Sequence, residues 1–184
     1  MPLPAPSVPR RRVHTRSILL EGHVRDDDLL ELEASLSDVK DQDYQIAPGV
    51  RPGGEPLHLM RVRVTFDRAF NIVDVHASSD AVPYVGQCEH IAPSYRRLIG
   101  LNLLRGFRAS VGEMFADVRG CTHMSELLLS LPTAAIQTFA TFWRDTDETP
   151  EKPFHLDGCH ALDTSGDTVR RYFPKWYRAA SSDL

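Results

Sequence analysis

The residues with the most chemical reach in this 184-residue chain are histidines, cysteines and a few charged groups beside apolar strand positions. His14 and Arg16 have the parity of Ile18 and Leu20. Asp38 and Lys40 have that of Leu32 and Leu36, and His58 that of Met60, Val62 and Val64. Side chains alternate along a strand, so each polar group extends an apolar face at one end. Burying such groups is costly unless they pair or act. If the strands follow one another antiparallel, Arg16, Asp38 and His58 come to one region. A carboxylate beside an imidazole fixes its tautomer and raises its basicity, so His58 oriented by Asp38 suits general acid–base chemistry near neutral pH. Arg16 and His14 then suit an anionic or phenolate oxygen of a substrate. The plainer alternative is that these are strand ends whose side chains reach water.

A second group pairs each of the three cysteines with a nearby histidine: Cys88-Glu-His90, Cys121-Thr-His123 and Cys159-His160. Gly120-Cys121-Thr122-His123 precedes a helical run, with Thr122 as N-cap and Cys121 in the field of the helix start, which lowers a thiol pKa. The same field keeps His123 neutral, able to accept a proton in place of His58 or to ligate a metal. The loop from Pro83-Tyr84 to Cys88 carries the next candidates, since functional groups favour loops. Cysteine and histidine suit zinc, and histidine with carboxylates suits iron. A single iron or zinc ion held by Cys88, Cys121 and His123, with His58 in reach, is the metal reading. Against it, there is no CxxC or HExxH, and a free cysteine is most often a small buried hydrophobe. A Cys121–His123 nucleophile is weaker still, for lack of an oxyanion loop. His76, opposed to Val73 and Val75, reads as a solvated surface histidine.

The elements that must position these groups follow from periodicity. Alternation predicts strands from Val13 past Val24 and from Leu30 to about Leu36, joined by an Asp26-Asp27-Asp28 turn. Residues 47–54, rich in Pro and Gly, read as a loop. Leu57–Phe66 and Asn71–Ser78, four residues apart, read as a β-hairpin. Beyond Pro93 the period becomes helical: Phe107, Val111, Met114 or Phe115, and Val118, then Leu128, Leu131, Ala135, Phe139 and Phe142. Pro132 predicts a kink or two abutting helices there. Asp145–Pro153 reads as a charged linker, and the aromatic tail from Phe154 to Tyr177 is expected to pack back on the core. Strands first and helices afterwards predict an α+β fold, an antiparallel sheet from the N-terminal half against helices of the C-terminal half. Residues 1–12, with four prolines and Arg10-Arg11-Arg12, read as a flexible arm, and 13–184 as one domain.

Composition narrows the function. The chain is 42% hydrophobic and 25% charged, an ordinary soluble globule. Its 18 Arg and 3 Lys are outweighed to a net charge of −4, which argues against a general nucleic-acid binder. No apolar run approaches the roughly 20 residues of a membrane helix. The N-terminus lacks the apolar stretch of a secretory signal. Three cysteines are too few for a disulfide framework, so a reducing, cytoplasmic setting is expected. Phosphate-binding glycine loops and a nucleophile elbow are missing.

Several stretches resemble domain-of-unknown-function family 2889, a set of bacterial proteins. They are His14-Thr-Arg16 with the acidic turn, Leu36-Ser-Asp38-Val-Lys40, His58-Leu-Met60, Pro83-Tyr84 leading to Cys88, Leu98-Ile-Gly100, Gly120-Cys-Thr-His123 with Glu126-Leu-Leu, and Gln137. The tail from Cys159-His160-Ala161 through Pro174-Lys-Trp-Tyr177 is similar too. Asp28 stands where the resemblance leads one to expect glycine. The resemblance implies a role in bacterial breakdown of lignin-derived aromatics, as a lyase removing a one-carbon unit from a phenylpropanoid dimer. The expected substrate is thus a small aromatic, met by His58, Asp38, His123 and Tyr84 as catalytic groups with Arg16 and His14 binding, in a monomer or an oligomer. Two other classes fit the same residues: a non-enzymatic ligand-binding or accessory protein, and a Cys/His metal-binding protein.

Overall fold

Strict alternation of leucine, valine and alanine with polar residues builds long half-buried strands. The computed structural model describes residues 2–142 and 150–179. Its strands are β1 (His14–Val24), β2 (Leu30–Lys40), β3 (Tyr44–Ile46), β4 (Gly49–Arg51), β5 (Pro56–Phe66) and β6 (Ile72–Ala81). Four of them form one antiparallel sheet in the order β1-β2-β5-β6, with β3 and β4 a separate two-stranded ribbon. On the inner face Leu32 lies opposite Val64, Ala34 opposite Val62, and Leu36 opposite Met60, all buried. Glu33 and Arg63 face each other on the outer side and form an ion pair.

The helical half covers the inner face. A 3₁₀ stretch, Cys88–Leu98, runs alongside β6 and precedes α1 (Phe107–Met114), α2 (Thr122–Leu128) and α3 (Leu131–Phe139). Leu127, Leu128, Leu131 and Ala135 are fully buried, and α2 and α3 lie on β1, β2 and β5. This is the expected α+β arrangement. Pro132 falls in the first turn of α3, where its missing N–H has no helical partner to lose, so the run is two abutting helices. At Gly22 of β1 an added Cβ would lie 2.0 Å from Thr138 Oγ1, so the close approach of α3 at that point requires glycine.

Three local expectations are corrected. Residues 47–54 are not wholly loop: Ala47-Pro48 is a two-residue turn between Ile46 and Gly49, flanked by the strand formers of the ribbon. The first helical run ends at Met114, and Val118, expected on its apolar face, is 97% exposed. Helical structure begins at Cys88, ahead of Pro93. The acidic turn explains its unusual residue, because Asp28 adopts φ +64°, the left-handed conformation that glycine takes freely and Asp tolerates.

The chain divides into two compact units, Met1–Thr141 and Phe142–Leu184. The second has its own small cluster of Leu156, Val169 and Phe173, with Leu162, Trp176 and Tyr177 packed on it and α4 (Asp167–Tyr172) supplying Val169. Most of the stretch read as a charged linker, 145–149, lies outside the described residues. Among the described residues no helix is long and apolar enough to cross a membrane.

Candidate active site at the polar end of the sheet

The inner face of the sheet changes character in one step. Beside the apolar row of Ile18, Leu36 and Met60 lies the row Arg16–Asp38–His58, one residue from each of three neighbouring strands. The β2–β5 ladder is interrupted immediately beyond, where a register shift after Asp38 pairs Val39 with Pro56. Such a bulge ends regular pairing and re-aims side chains.

Asp38 is the hub. Its side chain is 4% exposed, yet every nearby donor serves it. Arg16 donates to both carboxylate oxygens, Nε to Oδ1 and Nη2 to Oδ2, each at 2.8 Å. His14 Nε2 lies 2.9 Å from Oδ1, His58 Nδ1 3.1 Å from Oδ2, and His123 Nε2 3.5 Å from Oδ2. Burial alone would raise the carboxyl pKa. The hydrogen bonds from Arg16 and His14, with the charge of Arg16, outweigh it and hold Asp38 well below the usual carboxylate range. Asp38 is therefore a buried anion at neutral pH.

The third side of the site comes from α2. His123 sits in its first turn and stacks on His58, with ring centroids 3.7 Å apart and planes at 29°. Glu126, three residues on and so on the same helix face, pairs with Arg16 Nη1. Burial pushes the pKa of both histidines below the ordinary imidazole value, His123 acting further on His58, while Asp38 pulls the other way on each. For His123 the leading cause is burial rather than the helix field. Thr122 is not the cap: α2 begins at Thr122, Cys121 occupies the cap position, and no side chain caps the helix. The Cys121 N–H donates instead to the hydroxyl of buried Tyr95, at 2.8 Å. Gly120 is required here, because a Cβ would approach Phe115 O to 2.5 Å.

His58 and His123 line a cavity of about 700 Å³, together with Met60, Tyr84, Cys88 and Cys121. The volume suits a drug-sized organic molecule. Neither Arg16 nor His14 lines it. Each guanidinium nitrogen of Arg16 already has a carboxylate partner, and His14 faces Asp38. Tyr84 is half-exposed at the lining. Glu126, quoted above only as part of the resemblance and given no role there, was signalled by its three-residue spacing from His123. His76 is exposed and bonded to Asp74, a surface histidine.

As for a metal, the ligand-bearing atoms of Asp38, His58 and His123 all lie within 4.8 Å of one another, and this is the group of that kind among the described residues. It differs from the cysteine set expected above. Cys121 Sγ lies 3.9 Å from His123 Nδ1, and Cys88 lines the cavity, but neither joins the cluster. The fit is imperfect as arranged. A metal lies in the plane of each imidazole that binds it, and two stacked rings set their lone pairs side by side rather than converging. One ring must turn before both can bind one ion.

No curated protein and no solved structure matches the chain. A family model described as "Protein of unknown function (DUF2889)" matches residues 14–137. That span holds every group gathered around Asp38. It also covers well over half of the chain, which therefore belongs to the DUF2889 family.

Proposed function

We propose that the cavity beside His58 and His123 is the active site of a small enzyme that breaks a carbon–carbon bond of an aromatic substrate by proton transfer. The observation that carries this reading is the Asp38–His58 pair, a nearly buried carboxylate bonded to Nδ1 of an imidazole that lines the cavity. With Nδ1 donating, Nε2 keeps the basic lone pair. The depressed pKa leaves that nitrogen free to take a proton at neutral pH.

The finer identity rests on the family resemblance: a lignin-derived aromatic of the phenylpropanoid-dimer kind, losing formaldehyde or carbon dioxide. In the formaldehyde case His58 Nε2 takes the proton of a primary hydroxyl, and the C–O bond becomes the carbonyl of formaldehyde. The pair from the broken C–C bond stays on the aromatic fragment, which then recovers the proton. In the carboxylate case carbon dioxide leaves and the fragment is protonated likewise. Tyr84 is assigned to binding a phenolic oxygen of the aromatic fragment by hydrogen bond, which orients the fragment while the C–C bond breaks. His123, stacked on His58, is the alternative proton carrier. Arg16, His14 and Glu126 are positioning residues that keep Asp38 charged and in place.

The test is turnover. Incubation with a panel of aromatic dimers and acids, with trapping of formaldehyde and carbon dioxide and mass spectrometry of the products, is expected to show release of a one-carbon unit. His58→Ala and Asp38→Ala are each expected to lower turnover at least about a hundredfold with the fold intact by circular dichroism. Near-normal turnover in both variants overturns the assignment. A ligand bound tightly but returned unchanged points instead to a binding protein. The closeness of Asp38, His58 and His123 favours one second reading, a metal-assisted reaction. Elemental analysis of the freshly purified protein decides it: stoichiometric iron or zinc whose removal stops turnover supports the metal.

A further inference from the structure

A second cavity of about 400 Å³ adjoins the one lined by His58 and His123, sharing Pro83, Tyr84 and Gln87 as walls, and lies against the β3–β4 ribbon, where Ile46, Val50 and Arg51 line it. The charges of the two cavities are uneven. The inner cavity has no Lys, Arg, Asp or Glu among its lining residues, and Arg51 is the one permanently charged side chain lining the outer one. Arg51 Nη2 donates to Val82 O at 3.1 Å, and no carboxylate lies within ion-pair distance of its guanidinium among the described residues. This contrasts with the other end of the site, where Arg16 is saturated by Asp38 and Glu126. A half-buried guanidinium against aliphatic and aromatic walls, without a protein counter-ion, suits a planar group that ends in an anionic oxygen. The ribbon is what brings it there: the Ala47-Pro48 turn folds Arg51 back opposite Tyr44, while the bond to Val82 ties it to the end of β6.

We propose that the outer cavity is a second substrate subsite, in which Arg51 receives an anionic oxygen on the distal half of an elongated aromatic molecule whose reacting half lies beside His58 and His123. The inference deepens the function proposed above and rests on it for the identity of the reacting half. Pro83 and Tyr84, common to both cavities, stand where the two halves join. Specificity then divides. The inner cavity, without a fixed charge, accepts a neutral hydroxyl-bearing half. The outer one selects for an acid.

A pair of two-ring probes tests the subsite without any turnover: 4-phenoxybenzoate and its neutral methyl ester, with benzoate as the one-ring control, titrated calorimetrically into the full chain. The acid is expected to bind more tightly than both the ester and benzoate. Arg51→Gln is expected to weaken the acid about ten- to a hundredfold, the range of one charge-assisted bond, and to leave the ester unchanged. Arg51→Lys keeps the cation but not the Nη2 bond to Val82 O. It is expected to retain most of the acid's affinity, which a purely structural role for Arg51 does not predict. Equal affinities for acid and ester in the wild-type chain, or equal loss of both in Arg51→Gln, overturn the subsite. His58→Gln separates this proposal from the one it rests on. If no aromatic is turned over yet the acid preference survives in His58→Gln and disappears in Arg51→Gln, the subsite stands and the lyase reading falls. If turnover depends on His58 but neither KM nor the acid preference changes in Arg51→Gln, the subsite falls alone.

Discussion

One carboxylate organises five side chains. Asp38 is nearly buried and receives Arg16, His14 and His58 by hydrogen bond, with His123 close by and Glu126 fixing Arg16 from behind. Removing one partner of a buried charge leaves the other unpaired, so the costs should rank by burial and not by ion-pair count. Arg16→Gln is expected to destabilise the fold by about 3 kcal/mol in urea melts. Glu126→Gln, whose carboxylate is half-exposed, should cost under about 1 kcal/mol. The reverse order would mean that Arg16 is held chiefly from α2 and that Asp38 is satisfied without it. Arg16 is also where the sequence is least informative. A cation at a strand end looks available to a substrate, and only the register of β1 on β2 shows that its donors are taken.

At the scale of elements, close approach and turn geometry explain two residues that composition does not. Gly22 lets α3 sit on β1, and α3 abuts α2, which carries His123 and Glu126. Gly22→Ala is expected to cost about 1–3 kcal/mol through the clash with Thr138. Thr138→Ala should restore part of that loss, a coupling that a double-mutant cycle measures. Asp28 is the converse case, a side chain in a left-handed position. Asp28→Gly should therefore be neutral to about 1 kcal/mol stabilising in thermal melts, despite losing the exposed pair with Arg68. A clear loss of stability there would show that the pair matters more than the turn. The strands and the hairpin were legible because one buried face imposes a period of two on the sequence. The β3–β4 ribbon was not, because three-residue strands are too short to display a period. Val118 was misplaced because one apolar residue at the right spacing cannot signal that a helix has already ended.

For the whole molecule, the titrating groups of the site act in one direction with pH. Asp38 is depressed in the folded state, so its contribution is present above its ordinary value of 3.8 and is lost as pH falls through the lower folded value. His58 and His123 are depressed from 6.5, so unfolded imidazoles take protons that the folded ones refuse, and stability already declines as pH drops below that value. Thermal melts from about pH 8 to about pH 2 should therefore show a decline that starts near the imidazole range and a further one below about pH 4, where Asp38 titrates. Changing both His58 and His123 to Gln should flatten the upper limb and leave the acid limb in place. A stability that rises on mild acidification would mean that the histidines gain protons on folding, against the balance of burial over attraction to Asp38.

By itself the sequence determined the fold class, the four long strands with their inward faces, a break in the helical run at Pro132 and the family, because periodicity and motif spacing are local properties. It also named the strand-end residues, since a polar group at core parity is visible without a structure. Only the tertiary structure decided what those residues are to one another. The pairing of β1, β2 and β5 made Arg16, Asp38 and His58 a single row, and the seating of α2 brought in His123 and Glu126 from far along the chain. The same packing gave every guanidinium nitrogen of Arg16 a carboxylate partner, set His14 against Asp38 and left the cysteines outside the ligand cluster. It also set Arg51, in a ribbon too short to read, in the wall of the second cavity. Contacts between residues distant in sequence depend on register and on burial, and both exist only once the chain has folded.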